Sequence, residues 1–162
     1  MHDDVKTRAF AGAILHWQDE VLLLKRGLHK KIAPGLWAGV GGRVEPHEVG
    51  NPLAACLREI NEETGIIPEQ IGDLRLRYFA LLKHQVEAEY SLDSVYYFIG
   101  ALKEKPALGT TDEGELRWVK TADCAELQMD THIEAILHHW LRNPHDDTIH
   151  YYMDSEFREM KP

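Results

Sequence analysis

The stretch that most constrains this chain is "CLREINEETG", residues 56–65. Glu59, Glu62 and Glu63 stand at i, i+3 and i+4, so on a helix they crowd one face. Like charges at that spacing cost a helix about 0.2–0.5 kcal/mol per pair. No lysine offsets them: Ala55, Arg58, Ile66 and Ile67 occupy the positions four residues away. Asn51-Pro52 reads as an N-cap followed by a first-turn proline, and Gly65 as a helix stop, so the pattern predicts a helix over 52–64. Projected at about 100° per residue, Leu53, Cys56, Leu57, Ile60 and Thr64 fill one arc that must face the core, and the three acids fill the arc beside it. Carboxylates gathered beside a buried face make a hard-oxygen site of the kind Mg²⁺ takes while leaving positions for phosphates. A cation would reverse the sign of the local repulsion. The competing reading is a solvated acidic face.

The remaining pattern supplies a frame for such a helix. "AFAGAILHW" and "VLLLKR" read as a hairpin turning at "QDE". "LHKKIAPG" is a loop, and "LWAGVGG" a short apolar segment ending in paired glycines. "LRLRYFALLKH", "DSVYYFIGAL" and "LRWVKT" are strand candidates, with the polar "QVEAEYS" read as a loop between the first two. "THIEAILHHWLR" is an amphipathic helix ended by Asn143-Pro144. The order β-β-β-α-β-β-β-α predicts an α/β or α+β fold, a mixed sheet with helices packed on it. The tail beyond residue 144 is expected to add an edge strand or stay mobile.

The chain has 162 residues, within the length of one domain. Its formal net charge of −9 excludes a bulk electrostatic footprint for duplex nucleic acid. An anionic substrate therefore needs a local basic patch or a bound cation, and "KRGLHKK" (25–31) is such a patch. The two cysteines are too few for a disulfide scaffold, and a cytoplasmic location is expected. The N-terminus is acidic and lacks the pattern of a signal peptide, and no apolar run approaches the roughly 20 residues of a membrane span.

"GRVEPHE" (42–48) and "REINEETGI" (58–66) resemble the Nudix hydrolase signature: Gly, five residues, Glu, seven residues, Arg-Glu, aliphatic, any, Glu-Glu, any, Gly, aliphatic. Gly42, Glu48, Arg58, Glu59, Ile60, Glu62, Glu63, Gly65 and Ile66 fill its fixed positions. The spacer between Glu48 and Arg58 holds nine residues instead of seven, and the extra pair is placed at Val49-Gly50, outside the helix. The resemblance covers roughly residues 5–142 of a single domain taken as 1–162.

What the resemblance implies is Mg²⁺- or Mn²⁺-dependent hydrolysis of a diphosphate bond in a nucleoside diphosphate derivative. "APGLWAGVGGRVE" leans the substrate towards a nucleoside triphosphate or a damaged nucleotide. A sugar nucleotide, ADP-ribose, or a catalytically silent nucleotide-binding module are the alternatives, and a homodimer is an expectation by analogy. Glu59 and Glu63 would be metal ligands, with Glu62 joining them and the Gly41 carbonyl completing the set. Gly41 and Gly42 permit a backbone approach that side chains would block. Arg58 would bind phosphate or, preferably, pair with a neighbouring carboxylate. Glu48 would be structural. The base that activates water would come from the helix (Glu62 or Glu63) or from a later loop, where Glu115 is the first candidate and Glu113 the second. Arg26 and Lys25 would meet phosphate. Trp37, Phe79 and Tyr90 are candidates to stack on a base, with core or rim packing as their alternative.

Overall fold

The computed structural model describes residues 5–86, 89–154 and 156–159. The acidic start at 1–4 and the last residues of the tail lie outside that description. Strand β1 (Lys6–Trp17) turns back into β2 (Glu20–Arg26), and the short strands β3 (Trp37–Ala38) and β4 (Val40–Arg43) follow. Helix α1 (Pro52–Thr64), strands β5 (Ile71–Val86), β6 (Glu89–Leu102) and β7 (Gly114–Lys120), helix α2 (Thr131–Arg142), and strands β8 (His150–Met153) and β9 (Glu156–Glu159) complete the chain. The sheet runs β3-β2-β1-β6-β5-β8-β9, with β4 paired to the middle of β1 and β7 to β2. The β1–β6 and β5–β8 pairs are parallel and the others antiparallel. The fold is α+β, a mixed sheet between two helices.

Side-chain alternation along β1 sorts the core into two layers. Ala11, Ala13 and Leu15 face α1 with Val40, Cys56 and Ile60. Ile14 faces α2 with Tyr78, Tyr97, Ile136 and Trp140. Both free cysteines are buried, and burial pushes the Cys56 thiol up to about 12. No described helix is long and apolar enough to cross a membrane.

Helix α1 has the expected ends. Asn51 Oδ1 accepts the Ala54 N–H at 3.2 Å, and Gly65 closes the helix at φ 74°. One expectation fails elsewhere. Gln85 and Val86 close β5 and Glu89–Ser91 open β6, so most of "QVEAEYS" is strand rather than loop, with 87–88 outside the described residues. Lys6 bonds Glu89 at 2.7 Å and the Lys83 ammonium lies 4.9 Å from the Tyr90 ring, contacts that give this polar hairpin cross-strand partners. The tail forms a hairpin, β8–β9, with β8 added in parallel to β5. It is pinned from above, where Tyr78 Oη meets His139 Nδ1 at 2.8 Å and the His139 ring packs on His150 and Phe157.

Candidate active site

The site begins with how α1 is rotated. Ala55, Cys56, Ile60, Glu63 and Thr64 are buried, whereas Leu53 is 40% exposed. The buried face is displaced from the apolar projection by roughly 60° towards the acids. Glu63, 7% exposed, lies near its centre. The cause is the strand beneath. Val44 N–H donates to Ala9 O, which places the hydrogen-bonded pairs of β1 and β4 at Ala11–Gly42 and Ala13–Val40. Gly41, opposite Gly12 in the intervening pair, turns its backbone groups away from β1. Its N–H donates to Glu63 Oε2 at 2.9 Å. Gly41 has φ 154°, and a Cβ there would strike Gly12 Cα and Ala11 O. A Cβ on Gly42 would strike the Glu59 carboxylate. The glycine pair thus admits two carboxylates to backbone contact.

Arg58 orders the acids from behind. It grips Glu48 with two bonds, Nε to Oε1 at 2.8 Å and Nη2 to Oε2 at 3.0 Å. It also reaches Glu59 at 2.8 Å, Glu62 at 3.1 Å and the Arg43 carbonyl at 2.8 Å. Glu48 is buried, accepts the Glu45 N–H, and is held down to about 2 chiefly by Arg58. The inserted Val49-Gly50 lies in the turn between Glu48 and Asn51 and leaves the helix register untouched, with Gly50 at φ 89°.

The electrostatics are those of a crowded anionic pocket. Burial pushes the Glu63 carboxyl up to about 8; the Gly41 N–H opposes this, and the charges of Glu59 and Glu113 add to it. Burial also raises Glu59, against the pull of Arg58. Glu59, Glu62 and Glu63 line one end of an open cleft of about 1190 Å³, together with Gly41, Gly42 and Glu113. Arg26 and Lys30 line it as well, and Lys30 pairs with Glu113.

Several expected residues sit elsewhere. Glu115 is 56% exposed, is bound by Arg117 at 2.7 Å and does not line the cleft. It stands opposite the exposed Lys25 in the β2–β7 pair, so strand alternation carries both away from the acids. Glu113, before the strand begins, is the loop acid at the site. Lys25 lies 5.9 Å over the Trp37 ring instead of lining the cleft. Trp37 reaches the cleft wall but is itself 8% exposed and belongs to the core. Arg58 is not at the cleft surface and contacts carboxylates rather than a phosphate position. Phe79 packs edge-on against Tyr96. Tyr90 lines the far part of the cleft. Glu62 is 58% exposed at the rim, so the three acids do not converge equally. Among the described residues no three His, Cys, Asp or Glu side chains stand close enough to hold one ion unaided. The donors that do meet are hard oxygens, with Gly41 turned to the same side as Glu63, and that set suits Mg²⁺ or Mn²⁺ if backbone and substrate oxygens complete it. Sequence reading missed the cleft floor: Arg8, His84 and Asp93. Nothing local marks them, since Lys6, Arg75 and Lys83 on the same strands are as polar, and only the strand pairing brings the three together.

Fold and site together define a protein that presents helical carboxylates and a glycine backbone to a cleft that basic residues also line. The chain matches the NUDIX domain over residues 5–141 and belongs to that family. It is 30% identical over 123 residues to the isopentenyl-diphosphate Δ-isomerase of Streptomyces griseus subsp. griseus, covering 74% of this chain and 59% of that protein. It therefore spans about three-fifths of the length of the curated relatives it matches. A MutT protein from Bacillus halodurans superposes with a TM-score of 0.72 at 25% identity, over 96% of this chain and 99% of that one. The NUDIX domain of Shewanella oneidensis NrtR, solved with ADP ribose, shares the fold with a TM-score of 0.68 at 15% identity, over 87% and 90% of the two chains.

Proposed function

We propose that this chain is a hydrolase that cleaves a diphosphate bond in a nucleoside diphosphate derivative with Mg²⁺ or Mn²⁺, nucleoside triphosphates or damaged nucleotides first among them. The observation that carries the reading is the buried Glu63 carboxylate, held by Gly41 N–H beside Glu59 at the head of a cleft that also holds Arg26 and Lys30. Glu59, Glu63 and the Gly41 carbonyl would hold the cation, with Glu62 added from the rim. A divalent cation held there supplies positive charge against the diphosphate and makes water more acidic. Arg26 and Lys30 neutralise the outer phosphate oxygens. Glu113 accepts the proton of the attacking water. Arg58 positions Glu59 and Glu62 without touching substrate. A cytoplasmic setting goes with two free, buried cysteines.

The isomerase relatives favour a second reading, rearrangement of a short hydrocarbon diphosphate, since such a compound presents the same diphosphate to the same acids. One screen separates the two. Nucleoside triphosphates, sugar nucleotides, ADP-ribose, dinucleoside polyphosphates and isopentenyl diphosphate are each incubated with and without Mg²⁺. Phosphate or pyrophosphate release from a nucleotide supports the proposal. Isomerisation of isopentenyl diphosphate without any nucleotide hydrolysis overturns it.

A further inference from the structure

A second group of charged side chains gathers at the C-terminal end of α2, outside the cleft. His132 and Ile133, in the first turn of α2, line the cleft. His139 and Arg142 stand in its last turn, about 9–14 Å further along the helix. Below them β5 is irregular. Leu76 pairs with Phe98 and Tyr78 with Tyr97, so Arg77 is an extra residue with no partner on β6. A bulge of this kind re-aims a side chain. The next residue, Tyr78, pairs with His150, where β8 joins the sheet.

Arg77 is 4% exposed, and its Nε and Nη2 meet no hydrogen-bond partner. Those two nitrogens form the fork that takes two oxygens of one anion. Arg8 grips Asp93 with the same pair, and Arg58 grips Glu48. At Arg77 the fork is free. The guanidinium lies by Tyr78. Burial pushes that phenol up to about 12, against the charge and a hydrogen bond of Arg77 and a smaller pull from Arg142, while Asp146 adds to the rise. Burial also lowers His139, as do the charges of His150, Arg142 and Arg77, with Asp146 opposing. The acids nearby are engaged. Asp146 accepts the Thr148 N–H and meets His150, each at 2.9 Å, and Asp147 pairs with Arg75. Two arginines thus converge on Tyr78 and His139 without a carboxylate partner among the described residues. A buried guanidinium with its fork unmet is strongly unfavourable, and an anion seated on the fork would relieve it.

We propose that Arg77, with the exposed Arg142 at its rim and Tyr78 and His139 beside it, forms a second anion site that takes a phosphate group. The fork gives two donors to two oxygens, and a second guanidinium suits the extra negative charge that a phosphate carries and a carboxylate lacks. The phosphate is either the free ion or the end of a larger molecule. None of these four residues lines the cleft, so the inference stands whatever the cleft hydrolyses.

The test is a set of thermal melts of the whole chain in metal-free buffer, with inorganic phosphate, glycerol 3-phosphate or chloride at equal ionic strength. Millimolar phosphate is expected to raise Tm by about 3 °C or more over chloride. Arg77→Met is expected to abolish that rise without lowering Tm in chloride, since it removes a buried charge that has no partner there. General salt effects act on both proteins alike. Arg26→Met, in the cleft, is expected to keep the rise. Should Arg77→Met not fold, Arg142→Ala, on the exposed last turn of α2, is expected to halve the rise or better. A rise confined to inorganic phosphate assigns the free ion, and one as large with glycerol 3-phosphate assigns a terminal phosphate group. No rise in the wild type, a rise kept in folded Arg77→Met, or one lost in Arg26→Met overturns the inference. With Arg77→Met unfolded, an undiminished rise in Arg142→Ala does so.

Discussion

The Glu59 carboxylate lies where a Cβ on Gly42 would be. The obstructing atoms are the far end of a flexible side chain, so Gly42→Ala displaces Glu59 more cheaply than it disturbs the strand. At Gly41 the same addition meets the backbone of Gly12 and Ala11 at φ 154°. Gly42→Ala is therefore expected to keep Tm close to wild type while weakening Mn²⁺ binding by about tenfold, the effect of mispositioning a ligand. Gly41→Ala is expected to lower Tm sharply. Thermal melts and Mn²⁺ titrations of the two variants check the contrast.

Glu63 ties stability to pH. Its carboxyl is pushed up to about 8 from an ordinary value of 4.5, first by burial. Between those values the folded state binds more protons than the unfolded one, so its contribution is full at low pH and is lost as pH rises towards 8. In EDTA, the wild type is expected to lose on the order of a few kcal/mol from this group between about pH 5 and 8.5. Glu63→Gln should flatten that loss, as should millimolar Mg²⁺ on the wild type. Denaturant unfolding across the range, with and without Mg²⁺, measures it.

The two helices were legible because their signals are local. Asn51-Pro52 and Gly65 bound α1, and Asn143-Pro144 ends α2. The rotation of α1 was not legible, because an apolar projection assumes that hydrophobes set the buried face. Here Gly41 offers a backbone N–H to a carboxylate, and that contact draws Glu63 inward. The choice between Glu113 and Glu115 needs the register of β7 on β2, which depends on residues far apart in sequence. The Arg8–Asp93 pair depends likewise on a parallel register across 85 positions.

Arg58 is a clamp, and its removal strands Glu48. Arg58→Met leaves the buried Glu48 carboxylate without its guanidinium and frees Glu59 and Glu62. Its Tm is expected to fall well below that of Glu62→Ala, which removes only a rim contact. Glu48→Gln, which removes the stranded charge, should restore part of the loss in the double variant, as breaking one partner of a buried pair costs more than replacing both. A thermal-melt cycle over the three variants reads this.

Glu113 and Glu115, two residues apart, separate a site acid from a surface one. Glu113→Gln is expected to lower kcat by about 10²-fold with Mn²⁺ affinity retained, and Glu115→Gln to leave kcat within about twofold. Equal losses from both would return the role to the strand.

The most direct measurement of the central claim is a Mn²⁺ titration of the wild type against Glu59→Gln/Glu63→Gln near pH 7. The account expects the wild type to bind Mn²⁺ with release of protons, since Glu63 gives up its proton to a cation, and the double variant to lose both the tight binding and the proton release. Equal Mn²⁺ affinity in the two proteins, with no proton released by either, would contradict it.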